Sequence, residues 1–541
     1  MEIEVILKTN LIEAFKKLGL ELSFNDVVIE RSKDPLHGDY ATNAALKYSR
    51  QLGQNPRQIA NKIVELINKD NLNKIEIAGP GFINFFIKND SLQAVVSKII
   101  NQGKDYGRGE KNGKKINVEF VSANPTGDLH IGHARGAAVG DCICRLLDFA
   151  GYEVTREYYI NDAGAQIGHL GESLKERYLE QLDKNYVANI PEDGYMGQDV
   201  IDIAKMMVSE FGDKYKDEPL STFEQYGMDK ELEKIIKDLD FFRVHFDVFS
   251  SERKIRDNNA VENEIKYLSP HIYKEEGALV LKTTDYLDDK DRVIVKSNGD
   301  YTYFLPDIVY HVNKASRGYD LLIDVLGADH HGYINRMKSA LMMHGYDKDK
   351  LHVELIQMVR LLKNGEEFKM SKRSGNALTL RELCEDVGVD AARYFFAMRA
   401  PSVHLDFDLD LALEQSSNNP IYYAFYAHAR LASVLNQAES QGIKIDASAS
   451  NCTSGSELNL LKHLIDFPKE VGEAGKEKAP YKITNYIHRL AELIHAFYTE
   501  CRVIDNERLD ITSSRLALCQ AAKITIKNAL DLIGVSAPDR M

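Results

Sequence analysis

Two histidines three residues apart, His130 and His133, stand in the stretch ANPTGDLHIGH, where the alternating run INVEFVSA gives way to the apolar-periodic HARGAAVGDCICRLLDFAG. A strand ending there and a helix starting near His130 aim backbone N–H groups and the helix dipole at an anion, for which a nucleotide phosphate is the natural candidate. His130 and His133 can then donate to phosphate oxygens that gain charge in a transition state, and Gly132 lets a base or ribose approach the backbone. Other readings of an isolated HxxH stay open. It is commonly a satisfied structural pair, and a metal would need a third ligand at usable spacing. Cys142 and Cys144 lie about two to three helical turns further on and cannot reach.

A second cluster, Lys369-Met370-Ser371-Lys372-Arg373-Ser374-Gly375-Asn376, follows about 240 residues downstream. Alone, such a lysine-rich loop is usually a solvated surface. Acids complete the set. Asp307 follows Pro306 in YFLPD, in what reads as the first turn of a helix, where it either favours the helix or pairs with a cation at the strand edge. Together with Glu119 and the Tyr303 phenol it can hold a guanidinium through directed bonds that lysine's compact ammonium would satisfy poorly.

Strands and helices alternate around these groups. INVEFVSA, YEVTREYYI, YTYFL, DLLIDVLG and LHVELIQMV are expected strands, alternating with helices such as HARGAAVGDCICRLLDFAG, NDAGAQIGHLGESLKERYL and YINRMKSALMMHG. That alternation predicts a Rossmann-type, doubly wound parallel sheet of the α/β class over 114–405, with an insertion at about 185–295 that also includes part of the core. An α+β unit over 1–105 is expected before it, divided off by GKDYGRGEKNGKK, whose glycines and lysines are not expected to pack. An all-α unit over 406–541 is expected after it, built from helices such as PIYYAFYAHARLASVLNQ and YKITNYIHRLAELIHAFYTEC. Tyr422, Phe425 and Tyr426 there can stack on bases, although rings at helical spacing are more often core.

Bulk composition narrows the class. The 541 residues are 44% apolar without a long uninterrupted apolar run, which predicts a soluble protein of several domains and no membrane span. The N-terminal MEIEVILKTNLIEAFKKLGLEL carries scattered charge and lacks an h-region, so a cytoplasmic location is expected. Six irregularly spaced cysteines fit reduced thiols, and a net charge of −14 argues against holding nucleic acid by bulk charge.

The pairing of ANPTGDLHIGH with a later KMSKRSGN resembles the two signatures of class I aminoacyl-tRNA synthetases. Within that class, VEFVSANPTGDLHIGHARGAAVGD, YYINDAGAQI, YFLPDIVYH, GADHHGY, DAARYFFAMRA, YYAFYAHARL and LIGVSAPDRM are similar to blocks of the arginyl-tRNA synthetase family along nearly the whole chain. The loop departs from the family's KMSKS at Arg373, with both lysines kept. A cysteinyl enzyme would be expected to show zinc-ligand cysteines, and a glutamyl enzyme basic residues where Tyr303 and Asp307 stand.

The resemblance implies ligation of L-arginine to tRNA(Arg), with ATP and Mg2+ as reactants, no resident metal, and a monomer. It implies catalytic roles for His130, His133, Lys369 and Lys372. It implies ATP contacts from Pro125, Thr126, Gly127, His130, Gly132, His133, Gly327, Asp329, Met370, Ser371 and Lys372. Arginine would be held by Glu119, Ser122, Asn124, Tyr303 and Asp307. His330 and His331 are left with ordinary structural roles. The first unit is similar to the family's N-terminal tRNA-binding addition, and the last to its helical anticodon-binding domain.

Overall fold

The computed structural model describes residues 3–32, 34–256, 259–368 and 378–541. Helix α1 (Ile3–Lys17) buries Ile3, Leu7, Leu11, Ala14 and Phe15, the three-to-four spacing of one helical face. It precedes an antiparallel sheet of β1 (Glu30–Arg31), β2 (Tyr40–Thr42), β3 (Leu72–Ala78) and β4 (Phe82–Ile87), ordered β1-β2-β4-β3. Between β2 and β3 lie α2 (Ala44–Lys47), α3 (Ser49–Leu52) and α4 (Pro56–Leu66), and α5 (Asn89–Gln102) closes the unit.

The centre is a parallel sheet. It begins with β5 (Lys115–Glu119), α6 (Ile131–Phe149), β6 (Glu153–Ile160) and α7 (Ala165–Leu182). Helices α8 (Gln198–Phe211) and α9 (Leu220–Phe241) pack with α7 around Leu174, Ile203 and Phe223. The chain then supplies β7 (Val248–Ser251), α10 (Glu252–Arg256) and α11 (Ala260–Tyr267). A three-stranded antiparallel sheet of β8 (Ile272–Glu275), β9 (Ala278–Leu281) and β10 (Arg292–Val295) follows. Helix α12 (Phe304–Ser316), β11 (Leu321–Gly327), α13 (Tyr333–Met343) and β12 (Leu351–Ile356) complete the centre.

The strand order is β12-β11-β5-β6-β7, with every pairing parallel. From β5 the chain winds out to β7 on one side and returns to β11 on the other. The crevice between the carboxyl ends of β5 and β11 is therefore the topological switch point, where such sheets bind ligands. Ile116 to Glu119 are all buried, as a central parallel strand requires.

One expected strand is replaced by a helix start. YTYFL is not a strand: Tyr301 makes an isolated bridge to Val295, and α12 already begins at Phe304. Aromatic residues favour strands, but Pro306 has its φ set for the first helical turn and no N–H to give to a sheet. The insertion at 185–295 also contains β7, the edge strand of the central sheet.

Beyond the sheet, β13 (Val359–Lys363) pairs with β14 (Glu366–Glu367), and also in parallel with β15 (Leu405–Asp408), which follows α14 (Leu380–Val387) and α15 (Val389–Ala397). After α16 (Leu409–Leu413) the chain is helical as expected: α17 (Pro420–Ser440), α18 (Gly455–Glu477), α19 (Pro480–Glu500) and α20 (Leu509–Leu532).

The segment expected not to pack does pack. Tyr106 is buried, its hydroxyl donates to the Leu464 carbonyl (2.7 Å), and its ring stacks on Phe467 with centroids 5.9 Å apart. A Cβ on Gly107 would meet the Phe467 ring at 2.7 Å. Gln93 on α5 donates to the carbonyls of Ser450 and Cys452, and Asn528 on α20 donates to those of Gly103 and Tyr106. A single hydrophobic cluster therefore runs from α1 through β5 and α6 to α20. One large aromatic outweighs the glycines and lysines around it.

Candidate active site

His130 is the N-cap of α6. Gly132 N–H donates to His130 Nδ1 (3.1 Å) and His130 N–H donates to His133 Nδ1 (3.4 Å), a reciprocal cap in which imidazoles take the parts usually played by Ser and Glu. The rings stack with centroids 3.8 Å apart. Because both Nδ1 atoms accept, the neutral tautomers carry their protons on Nε2, leaving two outward donors at a helix N-terminus. Burial lowers both imidazoles, His133 to about 4 with a further contribution from His130, so both are neutral donors at physiological pH. The structural and the phosphate-binding readings are thus two faces of one arrangement. A Cβ on Gly132 would meet His130 Cε1 at 2.9 Å, so the glycine is required by the ring as well as by any ligand.

Glu119 ends β5 and is followed by Val121 and Ser122 at φ +68° and +42°. Left-handed backbone is unusual for a β-branched residue and marks a loop held by its surroundings. Ser122 Oγ ties that loop down: it donates to Glu119 Oε1 (3.1 Å) and accepts from Tyr159 N–H (3.1 Å).

The other Glu119 oxygen, Oε2, accepts from Tyr310 (2.8 Å) and from Lys314 Nζ (2.6 Å). Lys314 is fully buried and also donates to Asp324 Oδ1 (2.6 Å). Burial alone would lower this ammonium, but Asp324, Glu119 and Glu157 outweigh it and hold it above its ordinary value. Glu157 takes Arg317 through both oxygens at 2.8 and 2.7 Å. His311 sits with Nδ1 2.8 Å from the Asp307 carbonyl and Nε2 2.8 Å from Asp324 Oδ2, so acceptors face both ring nitrogens. Glu119, Glu157 and Asp324 are in this way answered by Lys314, Arg317 and His311. Glu119, His311 and Asp324 also present ligand atoms close enough for a metal ion, but the Lys314 ammonium already takes the oxygens of both acids.

Asp307, one turn before His311 on α12, is different. No hydrogen bond or ion pair engages its carboxylate among the described residues. Burial pushes it up to about 7, with Glu252 and Glu119 adding to the rise and His311 opposing it. A half-buried carboxylate left unpaired has the chemistry to take a cation.

The remaining expected residues divide. Pro125 is buried, Thr126 and Gly127 are half-buried in the loop before His130, and Gly327 is the last residue of β11 with Asp329 just beyond it, the Asp329 side chain 81% exposed. Asn124 is exposed and donates to Gln166 (2.6 Å). Tyr303 is not brought to Glu119 and Asp307: it is 86% exposed, because it precedes the helix and points off its first turn. The phenol that bonds Glu119 is Tyr310, while Tyr159 and Tyr333 feel these acids at longer range, both raised by burial and then by acids that include Asp307 and Glu119. Lys369, Met370, Ser371 and Lys372 lie outside the described residues.

A family model described as the class I (R) tRNA synthetase catalytic domain matches residues 95–395, more than half of the chain. The chain belongs to the arginyl-tRNA synthetases. Models of the arginyl-tRNA synthetase N-terminal domain and of the DALR anticodon-binding domain match residues 5–87 and 424–541. Among curated relatives, the arginine–tRNA ligase of Bacillus subtilis is 50% identical, covering 99% of this chain and 98% of its own. That of Shouchella clausii is 51% identical over 97% and 96%. A solved structure described as a putative arginyl-tRNA synthetase from Campylobacter jejuni is 36% identical, with a TM-score of 0.78 over 84% of this chain and all of its own. The Thermus thermophilus arginyl-tRNA synthetase shares the fold over both full lengths, with a TM-score of 0.78 at 21% identity.

In this arginyl-tRNA synthetase, His311, Lys314, Tyr159 and Tyr333 surround the candidate acids and were not singled out by the motifs. A signal for two of them was present: Asp307, His311 and Lys314 recur at helical spacing on a helix whose Leu305, Ile308 and Val309 are buried. In the last domain Phe425 packs on the core, whereas Tyr426 is 41% exposed, stacked on His495 and covered by the Arg430 guanidinium 4.5 Å from its centroid.

Proposed function

We propose that this synthetase receives the arginine guanidinium at Asp307 and Glu119, activates the amino acid with ATP to arginyl-adenylate and pyrophosphate, and moves the arginyl group to the terminal adenosine of tRNA(Arg), releasing AMP. The observation that carries the substrate reading is the unpaired carboxylate of Asp307. A guanidinium there gains a charge-assisted pair, and a neutral side chain would leave a buried acid unanswered. Asn124 takes the amino-acid end. Tyr303 turns in over the guanidinium from its exposed position.

The arginine carboxylate is already ionised and needs no general base for in-line attack on the α-phosphate. Catalysis is positioning and charge stabilisation. His130 and His133 donate from Nε2 to the α-phosphate. Lys369 and Lys372, with Met370 and Ser371 beside them, serve the departing pyrophosphate. Pro125, Thr126, Gly127, Gly132, Gly327 and Asp329 hold the nucleoside, and Mg2+ arrives with ATP as a substrate ion. The units at 1–105 and 406–541 hold tRNA on either side of the catalytic unit at 114–405. All these groups come from one chain, which supports a monomer, and a cytoplasmic location belongs to the same reading.

The test is tRNA-dependent ATP–pyrophosphate exchange with arginine, lysine and citrulline, the last being the near-isosteric neutral analogue. Exchange with arginine alone is expected. Citrulline used as well as arginine would remove Asp307 as the specificity group.

A further inference from the structure

The polar face of α12 has a second task. We infer that Lys314 is the positioning residue that makes Glu119 usable as a one-oxygen ligand for the substrate guanidinium, an inference that rests on the reading of Asp307 and Glu119 as the arginine site. Lys314 and Tyr310 together occupy Glu119 Oε2, so the carboxylate cannot turn, and Oε1 keeps a free lone pair beside Ser122. Lys314 reaches neither the solvent nor the Asp307 carboxylate. Among the described residues it pairs with Glu119 and Asp324, each at 2.6 Å, and its ammonium lies 4.7 Å from the Tyr310 ring centroid.

The consequence is a division of labour. Glu119 is oriented before substrate arrives, because its counter-charge is built in and Tyr310 and Lys314 both hold Oε2. Asp307 is left with both oxygens and no counter-charge, and so is free to take a guanidinium edge. Were Lys314 absent, Glu119 would be a second uncompensated buried acid next to Asp307. Like charges in one desolvated pocket do not both ionise near neutrality. The pocket would then hold a proton where it should hold arginine.

The variant Lys314→Met keeps the stem and removes the charge. In tRNA aminoacylation it is expected to lower arginine kcat/KM by at least about tenfold at pH 7, carried by KM, with the ATP KM changed less than about twofold. The pH profile separates positioning from general damage. Below pH 7 the slope of log kcat/KM for arginine against pH is expected to steepen from about one toward about two, because a second carboxyl must now lose its proton.

Since the single variant also strands Asp324, Lys314→Met/Asp324→Asn is measured beside it. Thermal stability is expected to recover in the double variant while the arginine defect and the steeper profile persist. Wild-type arginine constants in either variant, or equal losses for ATP and arginine, would overturn the inference. Asp307→Asn, assayed in parallel, tells which reading has failed. A loss in Asp307→Asn with none in the Lys314 variants removes Lys314 alone, whereas no loss in Asp307→Asn removes the arginine site itself.

Discussion

Thr379, just beyond the second signature, pairs with His130 of the first in an antiparallel bridge, and the next amide, Leu380 N–H, donates to the Leu129 carbonyl at 2.7 Å. Thr379 also caps α14 through a reciprocal bond with Glu382. The chain leaving the lysine-rich loop is thereby anchored by main-chain hydrogen bonds onto the loop that carries the histidines. Two segments far apart in sequence are held to a common register, so lysines serving one end of a triphosphate can be set against histidines serving the other.

The histidine pair predicts a pH response. Both imidazoles are held below their ordinary value by burial, so they are neutral in the fold while an unfolded chain takes up protons below about 6.5. Their contribution to stability is complete above that pH and is lost as pH falls through about 4, the His133 value. His133→Asn is expected to flatten the thermal-stability profile between these limits and to slow single-turnover adenylate formation. An unaltered chemical rate would leave the pair as a helix cap only.

Asp307→Asn is the sharpest test of the pocket. Losing a charge-assisted pair typically costs about 2–5 kcal/mol, or about thirty-fold to several-thousand-fold in arginine kcat/KM. Wild-type kcat/KM is expected to fall about tenfold per unit as pH drops below 7, because Asp307 must ionise to bind, and the variant should lose that slope. Stability should move the opposite way. A carboxyl raised from 3.8 to about 7 by burial destabilises the empty fold above those values, so the variant is expected to melt higher at pH 8. The control is Asp320→Asn. That side chain accepts from Lys115 N–H at the amino end of β5, across the sheet from the site.

Much of this was legible in the sequence, and the failures share a cause. Strand–helix alternation located β5, α6, β6 and α7, and the long apolar periodicities gave α17 to α20, because those patterns are local. Lys314 was passed over since a lysine on a helix ordinarily faces water. Its burial depends on Glu119, which lies 195 positions away in the chain. The packing of Tyr106 is hidden for the same reason, its partner Leu464 lying 358 positions away. The strand expected at YTYFL is replaced by a helix that begins one residue after Tyr303 and leaves its ring exposed. The windings of 185–295 carried too little periodicity to reveal that β7 belongs to the central sheet.

The packing of α5 and Tyr106 changes what a truncation should do. Deleting residues 1–105 removes Gln93 and the α5 face that packs on α18 and α20, so the remainder is expected to aggregate or melt well below the full chain. Deleting residues 1–87 keeps α5 and severs mainly the Arg31–Asp466 (3.0 Å), Lys462–Asp39 (2.5 Å) and Lys469–Glu4 (2.8 Å) pairs. That shorter deletion is expected to fold and bind ATP, with tRNA use impaired. Equal melting temperatures for the two truncations would show that α5 is not part of the shared core.

Helix α9 supplies the last prediction. Lys234 pairs with Asp128 (2.5 Å), two residues before His130, and Asp238 one turn later accepts from Arg381 (2.6 Å), two residues beyond Thr379. One helix of the insertion therefore grips the approach to one signature and the exit from the other. The Lys234–Asp128 pair is partly exposed on both sides, at 42% and 35%, and such pairs contribute only about 0.2–1 kcal/mol to folding. Its removal should scarcely change the melting temperature. Adenylate formation is more demanding of geometry, since misplacing a reacting group by about 1 Å costs on the order of a hundredfold. Lys234→Met is accordingly expected to slow single-turnover activation by about three- to thirty-fold, with arginine KM nearly unchanged and ATP KM raised. A rate equal to wild type would reduce α9 to a cover over α7, and a fall in rate matched by a fall in melting temperature would assign the effect to folding rather than to alignment.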